Sequence, residues 1–288
     1  MKIFGHEISL RKYTCSLFGA EPQPVVEPYL NLYVRFKGCN AHCSFCEFMN
    51  TASPFNEKKY QQVLHEVKSK IKINKISFTG GEPTLNFDQF KHIYQLTAQE
   101  VASAFVINTN GYQLKRIFED DEIMKRIDSI SLSRHHYNDQ LNNEILGFEA
   151  PTIQQIKKLP QNHLFNLTCN LIKGYIDSKA EIYRYLEHAA NLGIDYVGLV
   201  SLMPINDYCK QEYIDFESLD LVGERFKLMR EQNFEDYCKC YNYLYIPENV
   251  NSVIRVYYKN TYRPHQMTTS LVFDGENLSV GFSGPKIF

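Results

Sequence analysis

Cys39, Cys43 and Cys46 fall within eight residues of the stretch GCNAHCSFCEF, which begins at Gly38. Thiolates are soft metal ligands, and three on one loop offer three bonds to a metal centre. Structural zinc takes four ligands in a tetrahedron. His42 is a candidate fourth, but it adjoins Cys43, where joint chelation is awkward. Iron–sulfur cubanes are usually held by four thiolates. Three protein ligands leave one iron open, and an open metal position is where chemistry happens. Both readings stand, and the three-ligand set suits the cluster better.

Other polar residues gather where strand-like segments end. KISFTG (75–80) runs into Gly80, Gly81, Glu82 and Pro83, a strand-to-helix turn in which glycines allow close backbone approach. Asn108 and Asn110 end the segment SAFVINTNG, and Ser131, Ser133 and Arg134 end SISLSR. Asn166 and Asn170 lie in HLFNLTCNLIKG, and Val197 and Leu199 in DYVGLVSLMP. Arg134 is followed by His135 and His136. A loop histidine can donate a proton or bind a phosphate, and is more often simply hydrogen-bonded.

The elements that must position these groups alternate along the chain. Strands are expected at 30–36, 75–80, 103–111, 129–134, 163–174 and 195–204. Helices are expected at 56–72, 86–99 and 113–126, and one begins at Ser178, which forms a capping pair with Glu181. Six strands with helical crossovers imply an α/β protein with a parallel sheet, a partial (β/α)6 TIM-like barrel. Alternate strand residues face opposite ways. Asn31, Tyr33 and Arg35 thus oppose Leu30, Leu32 and Val34. Ser77 and Thr79 oppose Ile76 and Phe78, and Asn166, Thr168 and Asn170 oppose Phe165, Leu167 and Cys169. Ordinary closed barrels fill their interior with branched aliphatics. Polar inner faces on five strands instead predict a wet lumen for a polar ligand. After about residue 205 the pattern changes to a helix near 216–232 and short antiparallel strands, with a hairpin turn at Asp274-Gly275. The expected domains are 1–204, a barrel with a short N-terminal extension, and 205–288, a small α+β cap.

Composition narrows the class. The chain has 288 residues, 44% of them hydrophobic, which suits a packed core. A formal charge of −2 argues against general nucleic-acid binding. The sequence offers neither an apolar run of membrane-spanning length nor the apolar core of a signal peptide, so a cytoplasmic location without membrane contact is expected. Eight cysteines in such a setting suggest metal or redox chemistry rather than disulfides.

The C-x3-C-x-Φ-C loop, with Phe45 as Φ, together with the downstream TGGEP, resembles the radical S-adenosylmethionine (SAM) superfamily. The resemblance covers about residues 28 to 204. It implies that Cys39, Cys43 and Cys46 hold a [4Fe-4S] cluster whose open iron binds the amino and carboxylate groups of SAM. Electron transfer would then cleave SAM to methionine and a 5′-deoxyadenosyl radical, which abstracts hydrogen from substrate. It further implies that Gly80, Gly81, Glu82 and Pro83 receive the methionine amino group, with Glu82 alternatively capping nearby amides. Phe45, Asn108, Asn110, Ser131, Ser133, Arg134 and Asn166 are implied cofactor contacts, Arg134 for a carboxylate. The segment containing Val197 and Leu199 resembles the last barrel strand of molybdopterin-precursor synthases, where backbone meets adenine. No individual catalytic residue is implied.

Cys209, Cys238 and Cys240 fall in the expected cap. By the same resemblance it is a twitch-like extension in which they hold an auxiliary [4Fe-4S] cluster, with Cys15 a candidate fourth ligand. A hydrogen-donating cysteine and buried free thiols are the rival readings. Tyr241, Tyr243, Tyr245, Tyr257, Tyr258 and Tyr262 read as a small core, and Arg255 and Arg263 as surface cations or substrate anchors. The expected function is radical chemistry on a polar small molecule of nucleotide or sugar type, with flavodoxin or ferredoxin as electron donor. The alternatives are a peptide-modifying maturase or epimerase, a glycyl-radical activase, and a non-catalytic iron–sulfur or zinc-binding module.

Overall fold

The computed structural model describes residues 1–10, 27–47, 54–160, 165–234, 238–261, 270–282 and 284–288, with backbone alone for 230–234 and 238–240. Two short strands, β1 (Lys2–Ile3) and β2 (His6–Glu7), form an N-terminal hairpin. The barrel region then alternates β3 (Tyr29–Phe36), α1 (Glu57–Lys70), β4 (Lys72–Gly80), α2 (Phe87–Glu100), β5 (Ala104–Thr109), α3 (Leu114–Glu119), α4 (Asp121–Arg126) and β6 (Ser129–Ser133). It continues through α5 (Asp139–Leu146), α6 (Ile153–Lys157), β7 (Phe165–Asn170), α7 (Lys179–Asn191), β8 (Tyr196–Val200) and α8 (Asp207–Gln211). The last third adds β9 (Phe226–Phe234), β10 (Cys238–Tyr245), β11 (Ile254–Lys259), β12 (Ser270–Phe273) and β13 (Leu278–Val280).

Local signals account for the helices. Asn56 caps α1 by accepting from the Lys59 N–H, and Tyr60, Val63, Leu64 and Val67 form its buried stripe. Ser178 Oγ accepts from the Glu181 N–H at the start of α7. The single helix expected at 113–126 is two, because Asp120 accepts from the N–H groups of Glu122 and Ile123 and starts α4 afresh. Asn138 caps α5, and Gly147 at φ 68° ends it.

One sheet carries the site, in the order β13-β12-β3-β4-β5-β6-β7-β8-β11-β10-β9. The run from β12 to β11 is parallel throughout. The six expected strands are there, in sequence order. Two more parallel neighbours come from the last third of the chain, one at each flank. The change of pattern at 204/205 therefore marks the end of the helical crossovers, while the hydrogen-bonded sheet runs across it. The helix expected near 216–232 is instead a short 3-10 turn at Phe216–Leu219 followed by β9. Asp220 adopts a left-handed φ of 43°, which stops helical winding, and the edge of β10 then pairs with the segment. Tertiary pairing here overrides the helical propensity of the Leu, Met, Arg and Glu residues in it.

The alternation fixes two faces. Leu30, Leu32, Val34, Ile76, Phe78, Phe105, Ile107, Ile130, Leu132, Leu167, Cys169, Val197 and Leu199 are buried under the helices. Each large side chain of this set contributes about 1.5–3 kcal/mol on burial. The opposite face carries polar rungs. Asn108 Nδ2 donates to Ser77 Oγ (2.8 Å), Ser131 and Thr168 share a hydroxyl hydrogen bond (2.6 Å), and Asn166 Nδ2 donates to Ser129 Oγ (2.7 Å). Tyr241, Tyr243, Tyr245 and Tyr258 pack with Phe216 and Phe226, as a core would. Tyr257 is half-buried on β11, and Tyr262 and Arg263 lie outside the described residues. No helix among the described residues is long and apolar enough to cross a membrane.

Candidate cluster and cofactor site

The three cysteines sit on the loop that leaves β3, at the end of the sheet where the parallel strands terminate. That loop is clamped from two sides by backbone. The Gly81 N–H donates to the Phe36 carbonyl (2.9 Å) and the Glu82 N–H to the Gly38 carbonyl (2.8 Å). A Cβ on Gly81 would stand 1.9 Å from the Gly38 oxygen, and one on Gly80 (φ +119°) 2.3 Å from the Phe36 oxygen. The glycines are therefore required by the approach of β4 to the cysteine loop. From the other side, the His42 N–H donates to the Leu146 carbonyl (2.8 Å), and a Cβ on Gly147 would lie 2.9 Å from His42 Cβ. The Leu146-Gly147 buttress has a legible signal, an Asn138 cap followed by a glycine, but nothing in the sequence says that α5 ends against residue 42.

Glu82 is buried and accepts four hydrogen bonds. Thr84 N–H (2.9 Å), Thr84 Oγ1 (2.5 Å) and Thr109 Oγ1 (2.9 Å) reach Oε1, and Asn110 N–H (2.7 Å) reaches Oε2. Burial pushes its carboxyl pKa up against the pull of these bonds. Its side chain thus ties the end of β4 to the end of β5, the capping role among its two expected ones. Pro83 follows in the same turn.

The thiols lie close enough to influence one another. Burial pushes Cys43 up to about 12, with Cys46 and Cys39 adding to the effect. Burial also raises Cys39, against hydrogen bonds from the Ala41 N–H (3.3 Å) and from Asn110 Nδ2 (3.6 Å). Apolar neighbours Ala41, Leu146, Ala150, Phe45 and Phe148 surround the three. Among the described residues, no three His, Cys, Asp or Glu side chains converge on a single-ion point. In a cubane each cysteine holds a different iron, so three thiolates on one loop fit a [4Fe-4S] cluster.

Phe45 stands edge-on to His135, ring centroids 5.0 Å apart. His135 is buried, and its Nδ1 accepts from the Asn170 N–H (3.0 Å). His136 Nδ1 accepts from the Asn138 N–H (2.9 Å). Both are hydrogen-bonded loop histidines. Arg134, expected to bind a cofactor carboxylate, is buried with its guanidinium on Asp139 (2.5 Å) and the carbonyls of Pro151 and Tyr137 (3.2 Å each). It follows inward-facing Ser133, so alternation turns it to the helix side, and its carboxylate partner belongs to this chain.

The remaining expected contacts divide by height on the sheet. Asn110 lies just past the end of β5 at the cysteine loop, and Ser133 and Asn170 are the last residues of β6 and β7. Asn108 and Ser131 are committed to the polar rungs below them. Asn166, bonded to the first residue of β6, lies near the opposite end of the sheet, so a cofactor contact there is corrected to a structural one. The side chains of Val197 and Leu199 are in the core, which leaves only their backbone on offer; Gly198 and Val200 take the inner face. Arg35 faces inward, its guanidinium 5.8 Å from the Phe282 ring centroid, and burial lowers its pKa despite Asp274 and Glu47.

Cys209, on α8, is buried among Ile145, Ile172 and Leu202, and its thiol donates to the Phe45 carbonyl (3.6 Å). It therefore packs against the first cysteine loop. Cys238 and Cys240 begin β10, which runs antiparallel to β11 and so starts at the rim where β8 ends; their side chains lie outside the description, as does Cys15. Cys169 is in the core, as its alternation implied. Arg255 pairs with Asp195 at the surface.

Three buried or half-buried histidines make stability pH-dependent. Burial holds His135 down to about 3 and His188 to about 4, and lowers His136. A depressed histidine value means that the unfolded chain binds the extra proton, so stability is full above about 6.5 and is lost as pH falls toward the folded value. For His135 alone the loss at pH 5 is about 2 kcal/mol. Urea unfolding of the metal-free protein should show this loss between pH 7 and 5, and His135→Gln should remove about one proton from the slope. An unchanged slope would show that His135 is not the group taking up the proton.

Parts of the chain are similar to known proteins. Residues 33–172 match the family model of the radical SAM superfamily. A "Probable GTP 3',8-cyclase" of Saccharolobus solfataricus is 26% identical over 208 residues, 68% of this chain and 66% of that protein. A GTP 3',8-cyclase of Helicobacter pylori is 28% identical over 217 residues, 68% of this chain and 64% of its own. The matched stretch thus spans under two thirds of either relative's length. Among solved structures, Streptococcus suis SuiB bound to S-adenosylmethionine aligns with a TM-score of 0.49 at 20% identity, covering 65% of this chain and 44% of SuiB. The stretch 33–172, which takes in the end of β3, the cysteine loop and the strands β4 to β7, is thus similar to the radical SAM superfamily.

Proposed function

We propose that Cys39, Cys43 and Cys46 hold a [4Fe-4S] cluster used for reductive cleavage of SAM, followed by hydrogen abstraction from a polar small molecule of nucleotide or sugar type. The observation that carries this reading is a three-thiol loop, clamped by backbone at the mouth of a polar-faced parallel sheet. Bound there, the cluster would supply the electron that splits the sulfonium of SAM.

This chain's residues do the rest. The Gly80–Pro83 turn and the Leu146-Gly147 buttress fix the loop. Phe45 and Phe148 exclude water beside the thiols. Ser133 and Asn170 offer polar groups at the rim, and Arg35 gives the inner face a cation suited to an anionic substrate. The relatives named as GTP 3',8-cyclases favour a nucleotide over a peptide. Cys238 and Cys240, with Cys209 at the same rim, are assigned a second cluster, for which Cys209 must give up its bond to Phe45. Flavodoxin or ferredoxin is the assigned electron donor.

The test is anaerobic. Protein reconstituted with iron and sulfide, then given dithionite and SAM, should form 5′-deoxyadenosine. Its yield should rise with nucleoside triphosphates and not with short peptides, and deuterium from the true substrate should enter the product. Iron near four per chain discards the second cluster, and iron near eight supports it. Bound zinc without deoxyadenosine would reject the whole reading.

A further inference from the structure

We propose that Asn110 and Asn40 form an amide relay whose last N–H donates to a sulfur of the cluster and raises its reduction potential; this rests on the reading that Cys39, Cys43 and Cys46 hold that cluster. The orientation of both amides follows from what each touches. The Tyr112 N–H can only donate, so the Asn110 atom facing it at 3.0 Å is the oxygen. Asn110 Nδ2 is then turned the other way, where it donates to Asn40 Oδ1 (2.9 Å) and lies 3.6 Å from Cys39 Sγ. With its oxygen used, Asn40 presents Nδ2, which is buried and has no hydrogen-bond partner among the described residues.

A buried donor without an acceptor loses its hydration and gains nothing in return. Such groups are rare and call for an explanation. Here the orphan is on the residue next to Cys39, on the cysteine loop itself. Cys39 Sγ already receives the Ala41 N–H and the Asn110 amide. Donors gathering on a sulfur without a cation suit a sulfur that carries negative charge. The relay is also fixed at its base. The Asn110 N–H binds Glu82 Oε2, and the Glu82 N–H binds the Gly38 carbonyl, so the amides and the cysteine loop move as one piece. Hydrogen bonds to cluster sulfurs stabilise the more negative, reduced state and so raise the potential. Asn40 and Asn110 are positioning and tuning residues; neither needs to touch the reacting atoms.

The full-length protein, reconstituted anaerobically, is titrated redox-potentiometrically while following the reduced-cluster signal that changes on adding SAM. In Asn40→Leu the reduced-to-oxidised ratio at a fixed potential should fall about tenfold, a shift of about 59 mV for one electron, with iron content unchanged. In parallel, wild-type protein carrying asparagine labelled with nitrogen-15 in the side-chain amide should show a nitrogen coupling to the reduced cluster by pulsed EPR. An unchanged potential in iron-loaded Asn40→Leu overturns the relay. If that variant takes up no iron, absence of the side-chain nitrogen coupling in the wild type overturns it equally. Unchanged potential with weaker SAM binding assigns the donor to SAM and also overturns the sulfur assignment. A wild-type chain that binds no iron removes the cluster reading first, and the relay with it.

Discussion

Replacing Cys39, Cys43 or Cys46 singly with alanine is expected to abolish 5′-deoxyadenosine formation and the SAM-responsive EPR signal. The reason is the ligand count. Three thiolates already leave one iron to an outside ligand, so losing another opens a second corner and the cubane has no stable seat. Each of these sulfurs sits in an apolar pocket, where burial raises the thiol's pKa at Cys39 and Cys43. Binding of iron requires these thiols deprotonated, so loss of one ligand is coupled to loss of the cluster. Cys169→Ala is the control. It removes a still more deeply buried sulfur, one that donates to the His135 carbonyl (3.6 Å) on the helix side of the sheet. That variant should lose stability, as core truncations do, and keep its iron. Iron and sulfide per chain, the EPR signal and product formation read the contrast. A Cys43→Ala protein that still cleaves SAM would end the assignment.

Gly81→Ala should lower SAM cleavage about a hundredfold although every cysteine remains. The new methyl would meet the Gly38 carbonyl oxygen at 1.9 Å, and the nearest atoms are backbone, with no flexible side chain to yield. Relief requires the turn to retreat from the cysteine loop, breaking the hydrogen bonds to Phe36 and Gly38. Overpacking of this kind costs about 1–3 kcal/mol, and a displacement of about 1 Å at a site costs about 10²-fold in rate. Gly223→Ala separates the site from generic loss of stability. Nothing lies within 4 Å of its Cβ position, and its φ is not in the left-handed region, so activity and midpoint should be unchanged. Measuring SAM affinity, iron content and deoxyadenosine rate in both decides the matter. A Gly81→Ala enzyme of wild-type rate would show that the clamp does not position the loop.

Much of the site's identity was written in local sequence. The cysteine spacing, the glycine pair before Glu82 and the alternation of polar with apolar residues need only neighbours within one strand or loop to be read. The six central strands and the two faces of each follow from the same periodicity, because a strand's faces are fixed by residue parity. The core positions of Cys169 and Leu132 follow equally.

Tertiary structure decided whatever depends on which distant backbones meet. That β11 and β12 flank the barrel strands at opposite edges is a matter of pairing between segments far apart in sequence, and short strands of the last third carry no mark of their neighbours. The same holds for Arg134. Its type suits a cofactor carboxylate, but parity turns it outward to an Asp139 that only the fold brings near. Cys209, expected from the family resemblance to be an auxiliary ligand, lies against Phe45 because α8 folds back over the loop. Residue type and spacing determine which chemistry is available. Only the packing of remote elements determines which of those residues point at a common centre.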